Sequence, residues 1–171
     1  APSAASLASD ILASTSYADV DTNAIRGLAI TGSVGTGTWQ YSTDGVAWAG
    51  FGAVSNTNAL LITSTSRVRF SPSGTTAQTA SFTYRAWDQT TGTASTNTVA
   101  AYATTATNGG TTAFSTSVST ATLLVTLVNN APTINAVNTA LATTNEDTIS
   151  SATLVSAILT GVGYADANPG A

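Results

Sequence analysis

Through the middle of the chain, apolar residues recur at every second position. Leu28 and Ile30 alternate with small or polar neighbours, and so do Trp39 and Tyr41. Arg67-Val68-Arg69-Phe70 alternates cleanly and stops at Ser71-Pro72-Ser73-Gly74. Phe82, Tyr84 and Ala86 share one phase, and Thr83 and Arg85 the other. Side chains alternate across a strand, so this period predicts half-buried β-strands. Asp44-Gly45 lies between Tyr41 and Trp48 and has the composition of a tight turn, which predicts a hairpin. A last strand is predicted over 121–128, and 103–112 reads as a loop or insertion. Leu7 and Ile11, like Ala8 and Leu12, are four apart, which predicts one or two helical turns over 6–12. Arg67, Arg69 and Arg85 share an outward phase and are expected to form a solvated cross-strand ladder. Short strands between turns rich in Gly, Asn, Ser and Thr predict an all-β fold, an antiparallel sandwich.

The chain repeats part of itself. Residues 6–24 align with 153–171 at an offset of 147 without gaps, and eight of nineteen positions are identical. The matches include Leu7/Leu154, Ile11/Ile158, Leu12/Leu159, Tyr17/Tyr164 and Asp19/Asp166. Low complexity aligns Ala and Ser by chance, but not these five in register. The apolar run 123–128 stops at Asn129-Asn130-Ala131-Pro132, and Pro132 breaks a continuing ladder. Two parts are therefore expected: 1–130, a sandwich lacking its opening strand, and 131–171, a linker with the start of the next repeat. Residues 131–150 have no counterpart at the front, so 131–171 is also read as a donor segment for a neighbouring copy.

Composition narrows the chemistry. The 171 residues contain 34 Thr, 31 Ala and 20 Ser, together half the chain, and no Cys, His, Lys or Met. Without Cys and His there are no disulfides, no thiolate or imidazole metal ligands and no Ser-His nucleophile pair. Without Lys there is no Schiff-base chemistry and no P-loop. Four Arg against eight acids make no basic patch, so nucleic acid is not an expected partner. No apolar run is long enough to span a bilayer as a helix, and the first residues carry no signal-peptide pattern. The small-residue, acidic, Cys-free composition is that expected of extracellular bacterial surface proteins.

Several segments carry a resemblance. Asn129-Asn130-Ala131-Pro132-Thr133, Asn145-Glu146-Asp147-Thr148 and Ala165-Asp166-Ala167-Asn168 follow the order found in bacterial cadherin-like tandem repeats. So do Asp19-Val20-Asp21, the block from Gly37 to Gly45, Arg69-Phe70-Ser71-Pro72 and the block from Phe82 to Asp88. The chain resembles that family over nearly its whole length. The resemblance implies a Greek-key β-sandwich related to cadherin and immunoglobulin domains, strung in tandem in large secreted adhesins, commonly with Ca²⁺. By the same resemblance Asp19, Asp21 and Asp88 are the metal candidates of the first unit. Glu146, Asp166 and Asn168, with Asn129 and Asn130 of the linker, are those of the second. Asn168 stands where the pattern has a second Asp, and the linker is amidic rather than acidic, so the second set carries less charge for a cation that prefers carboxylates. The plainer alternative is that these acids cap turns.

Head-to-tail extension or polymerisation with copies of itself or adjacent repeats is the expected role. The alternative is a glycan-binding module that uses Trp39, Trp48, Trp87 and Tyr41 as a platform, although aromatics at alternate strand positions more often build the core. The Thr-x-Thr pairs are too irregularly spaced for a water-ordering array, and strand propensity explains them. Carboxylates placed at turns shared between repeats suit a scaffold better than a catalytic cleft, so no enzyme is expected.

Overall fold

A computed structural model describes residues 1–21 and 24–168. The chain divides into two units, 1–125 and 126–171. The first is a β-rich body of two antiparallel sheets. Its elements in chain order are β1 (Ser6–Leu7), α1 (Ala8–Ala13), β2 (Gly27–Val34), β3 (Gly37–Ser42), β4 (Ala49–Gly50), β5 (Ala59–Thr63), β6 (Arg67–Pro72), β7 (Gln78–Trp87), β8 (Tyr102–Ala103) and β9 (Ser119–Val125). One sheet has the order β1-β6-β3-β4 and the other β8-β5-β2-β7-β9.

The two-residue period explains which side chains meet between the sheets. Trp39, Tyr41, Val68 and Phe70 from one sheet pack against Leu28, Ile30, Leu60, Ile62, Ala80, Phe82 and Tyr84 from the other. Aromatic rings form the centre. Trp39 lies 4.9 Å from Phe82, 5.0 Å from Phe70 and 6.0 Å from Phe51, centroid to centroid. Its indole N–H donates to the Val34 carbonyl at 3.1 Å, so the one polar atom of the ring is satisfied inside the core.

Strand β5 and the first half of β2 are buried on both faces. Ala29, Ala59, Leu61 and Trp87 point away from the first cluster and pack with Ala113 and Phe114, which come from the connection between β8 and β9. This double coverage explains the unbroken apolar run Ala59-Leu60-Leu61-Ile62 in β5, a strand that alternation does not reveal. It also explains Gly27, where a Cβ would stand 2.7 Å from both the Ile62 carbonyl oxygen and the Trp87 ring.

The expected hairpin is present: Tyr41 faces Ala49 across β3 and β4, and Gly45 turns between them at φ +78°. Two expectations shift. The last strand spans Ser119–Val125 rather than 121–128, because its partner β7 begins at Gln78, opposite Val125, and offers no backbone further on. The helical turns start at Ala8, two residues later than predicted, because Ser6 and Leu7 pair with Val68 and Arg67 of β6. Ser3 adds to that edge by donating its N–H to the Phe70 carbonyl at 2.7 Å.

The arginine ladder is not formed. Arg67 and Arg69 lie on β6 and Arg85 on β7, in different sheets. Arg69 donates to Gln40 and covers the Trp48 ring at 3.9 Å, whereas Arg85 holds the Ser115 and Thr116 carbonyls.

The second unit holds a short helix, α2 (Val155–Gly161), and a bridge between Thr133 and Ala165. Among its described residues only Val162 and Asn168 are buried. Ile134, Val137, Leu141, Ile149, Leu154 and Val155 are all more than half exposed.

Candidate functional site

The segment that follows α1 loses its regular backbone at Ser14, and Tyr17, Asp19 and Asp21 lie beyond it. Asp19 orders this loop itself. One carboxylate oxygen accepts the Asp21 N–H at 3.0 Å and the other the Tyr17 hydroxyl at 3.1 Å. The Arg26 guanidinium covers the Tyr17 ring at 5.2 Å. Burial raises the Tyr17 phenol above its ordinary pKa, and the Asp19 carboxylate adds to the effect, since both disfavour phenolate.

Asp88 arrives from the other side, one residue past the end of β7. Its carboxylate accepts the backbone N–H and the hydroxyl of Thr90 at 2.8 and 2.6 Å. Asp19 and Asp88 thus each close a local turn, as the plainer reading of the sequence expects. They also share a setting. Asp19, Asp21 and Asp88 line one cleft of about 810 Å³, floored by Leu12 and Tyr84. Among the described residues, no group of three or more acidic side chains is close enough to hold a metal ion. Within the first unit, the three acids named by the resemblance open onto one space, with carboxylate oxygens of Asp19 and Asp88 already engaged.

In the second unit Asp166 repeats what Asp19 does. Its carboxylate accepts the Asn168 N–H at 2.8 Å. The Asn168 amide then clamps the linker: its oxygen accepts the Asn130 N–H at 2.6 Å and its nitrogen donates to the Val128 carbonyl at 3.1 Å. Asn130, Asp166 and Asn168 therefore come together. Asn129 is exposed, and Glu146 lies exposed in the turn that Thr144 and Thr148 close through their hydroxyls. An amide supplies both an acceptor and a donor, and this clamp uses both. Asn168, with no negative charge, is suited to that work where an Asp would leave a carbonyl without a partner.

Of the aromatic side chains proposed for sugar stacking, Trp39, Tyr41 and Trp87 are buried. Tyr41 and Trp87 also have their polar atoms bound, to the carbonyls of Thr96 and Thr91. Trp48 is half-buried, under Arg69. The loop 109–118, which walls the cleft with Thr and Ser side chains, was not singled out by any motif; only its start falls within 103–112, the segment read as a loop or insertion. Among the described residues no helix is long and apolar enough to cross a membrane. Compared with known proteins, the chain matches no family model, no curated protein and no solved structure.

Proposed function

We propose that the chain is a structural repeat of an extracellular bacterial surface protein, a Greek-key sandwich of cadherin-like type that extends the protein by head-to-tail repetition. The observation that carries this reading is a local structure that recurs with the sequence. Helix α1 starts at Ala8 and α2 at Val155, 147 residues on. Both are preceded by an extended leucine, Leu7 at φ −72°, ψ 142° and Leu154 at φ −67°, ψ 136°. Both are followed by a Tyr-Ala-Asp turn whose carboxylate accepts the N–H two residues later. A second unit of the same kind thus begins inside this chain. Crossings of the chain between sheets from β2 to β3 and from β5 to β6 favour the Greek-key assignment. Calcium belongs to the proposal at the cleft of Asp19, Asp21 and Asp88, where a hard cation would find carboxylate and hydroxyl oxygens.

The test completes the second unit. A chain in which residue 168 is followed by residues 22–147 of the same sequence should fold into two sandwiches. Its unfolding enthalpy should be about twice that of the parent, since enthalpy scales with folded residues. Its longest dimension in small-angle scattering should grow by one module. A second copy that stays unfolded would overturn the repeat reading.

A further inference from the structure

The sandwich shows how residues 6–12 are meant to be used. Ser6 and Leu7 add to the β6 edge, the N–H groups of Ala8 and Ser9 donate to the carbonyls of Ser66 and Ser64, and Ala8 and Leu12 are buried completely or nearly so, at 0% and 1% exposure. Tyr84 donates its hydroxyl to the Ile11 carbonyl. This seat is defined by backbone pairing and by two or three apolar side chains. A second segment of the chain carries the same groups. Leu154, Ile158 and Leu159 stand where Leu7, Ile11 and Leu12 stand in the first, on a helix that starts at the matching residue. There the two leucines are out of the core: Leu154 is 75% and Leu159 36% exposed. A helix of seven residues with no buried side chain is not stable by propensity alone, so its exposed leucines call for a partner.

We propose that residues 153–159 are a ligand for the α1 seat, and that their partner is the sandwich of a second copy of this chain. This rests on the repeat reading of the previous section and adds an activity to it, self-association by exchange of equivalent segments. Thr153 and Leu154 of one copy pair with Val68 and Arg67 of another, and Leu159 enters the space of Leu12. The resident segment competes. It is tethered, with an effective concentration in the millimolar range typical of short connections, so exchange is rare in dilute solution and rises with protein concentration. One position fits less well: Val155 replaces the fully buried Ala8 and brings two extra methyl groups into a filled site. The incoming segment therefore takes over when the resident one is weakened.

Two measurements decide it. Leu12→Ala weakens the resident segment and leaves Leu159 intact. Self-association in sedimentation velocity should strengthen by about tenfold or more, as expected for loss of a buried leucine. Adding Leu159→Ala should abolish that gain. Independently, the chain is free of Cys, so Arg67→Cys with Leu154→Cys in the otherwise natural sequence should give disulfide-linked oligomers on oxidation at millimolar protein. A folded, monomeric Leu12→Ala variant, with disulfides absent or confined to single chains, would overturn the proposal. If Leu12→Ala fails to fold, the cysteine pair decides alone. Should the two-sandwich chain fold while both measurements fail, exchange is wrong and the repeat reading stands. Should that chain fail to fold, the repeat reading falls first.

Discussion

At the scale of single residues, Trp39 and Trp48 differ more than their shared hairpin suggests. Alternation puts position 39 inward, and the structure surrounds its ring with Phe51, Phe70 and Phe82. Trp48 lies on the surface side with the Arg69 guanidinium over it. Replacing Trp39 with Ala should cost about 3–5 kcal/mol, the usual range for a large aromatic removed from a core. Replacing Trp48 should cost about 0.5–2 kcal/mol, the worth of a cation–π contact with its covered surface. Urea unfolding of the two variants checks this, and equal losses would contradict the assignment of faces. Asp19 and Asp166 show how much a residue settles locally. Each turns the chain by accepting the N–H two residues on, a bond that needs no tertiary partner.

At the scale of elements, the β3–β4 hairpin depends on one carboxylate. Asp44 accepts the N–H groups of Val46 and Ala47 at 2.7 and 2.9 Å and the Ser42 hydroxyl at 3.0 Å. Those donors, the two backbone N–H groups first, lower its pKa from 3.8 to about 2. A carboxylate with a depressed folded pKa stabilises the fold above its unfolded pKa and loses that contribution as pH falls through the folded value. Stability should therefore drop between about pH 4 and pH 2, and Asp44→Asn should flatten that part of the profile, since an amide keeps an acceptor and does not titrate. Thermal unfolding across this range measures it; an unchanged profile in the variant would assign the loss to other acids. The Asp-Gly pair made this turn legible in advance. Strand β5 was not legible, because a strand covered on both faces has no alternation to read.

At the scale of the whole molecule, the calcium question belongs to the first unit. Asp19 and Asp21 lie near one end of the sequence of that unit and Asp88 some seventy positions later, and folding opens all three onto one cleft. Extracellular calcium modules bind at about 10⁻⁴–10⁻³ M, and binding to the folded state alone raises its stability by mass action. Melting should therefore shift upward between chelator and about 10 mM Ca²⁺, and the shift should vanish in Asp88→Asn combined with Asp19→Asn. Identical melting curves would remove calcium from the proposal.

What the chain settled by itself is what period, turn chemistry and repetition encode: the alternating strands, the Asp44-Gly45 hairpin, the short helices after Leu7 and Leu154, and the Asp turns. Each depends on neighbours within a few residues, so two related segments make a similar local structure. What only the tertiary structure decided depends on contacts across long separations. Sheet membership separated Arg85 from Arg67 and Arg69. The connection between β8 and β9 folded over the outer face of β2 and β5 and buried Trp87. The seat on β6 buried Leu12, while Leu159, at the equivalent position of the repeat, remains partly exposed. Burial is a property of what packs on a residue, and a leucine can reach only the core that the rest of a sandwich builds around it.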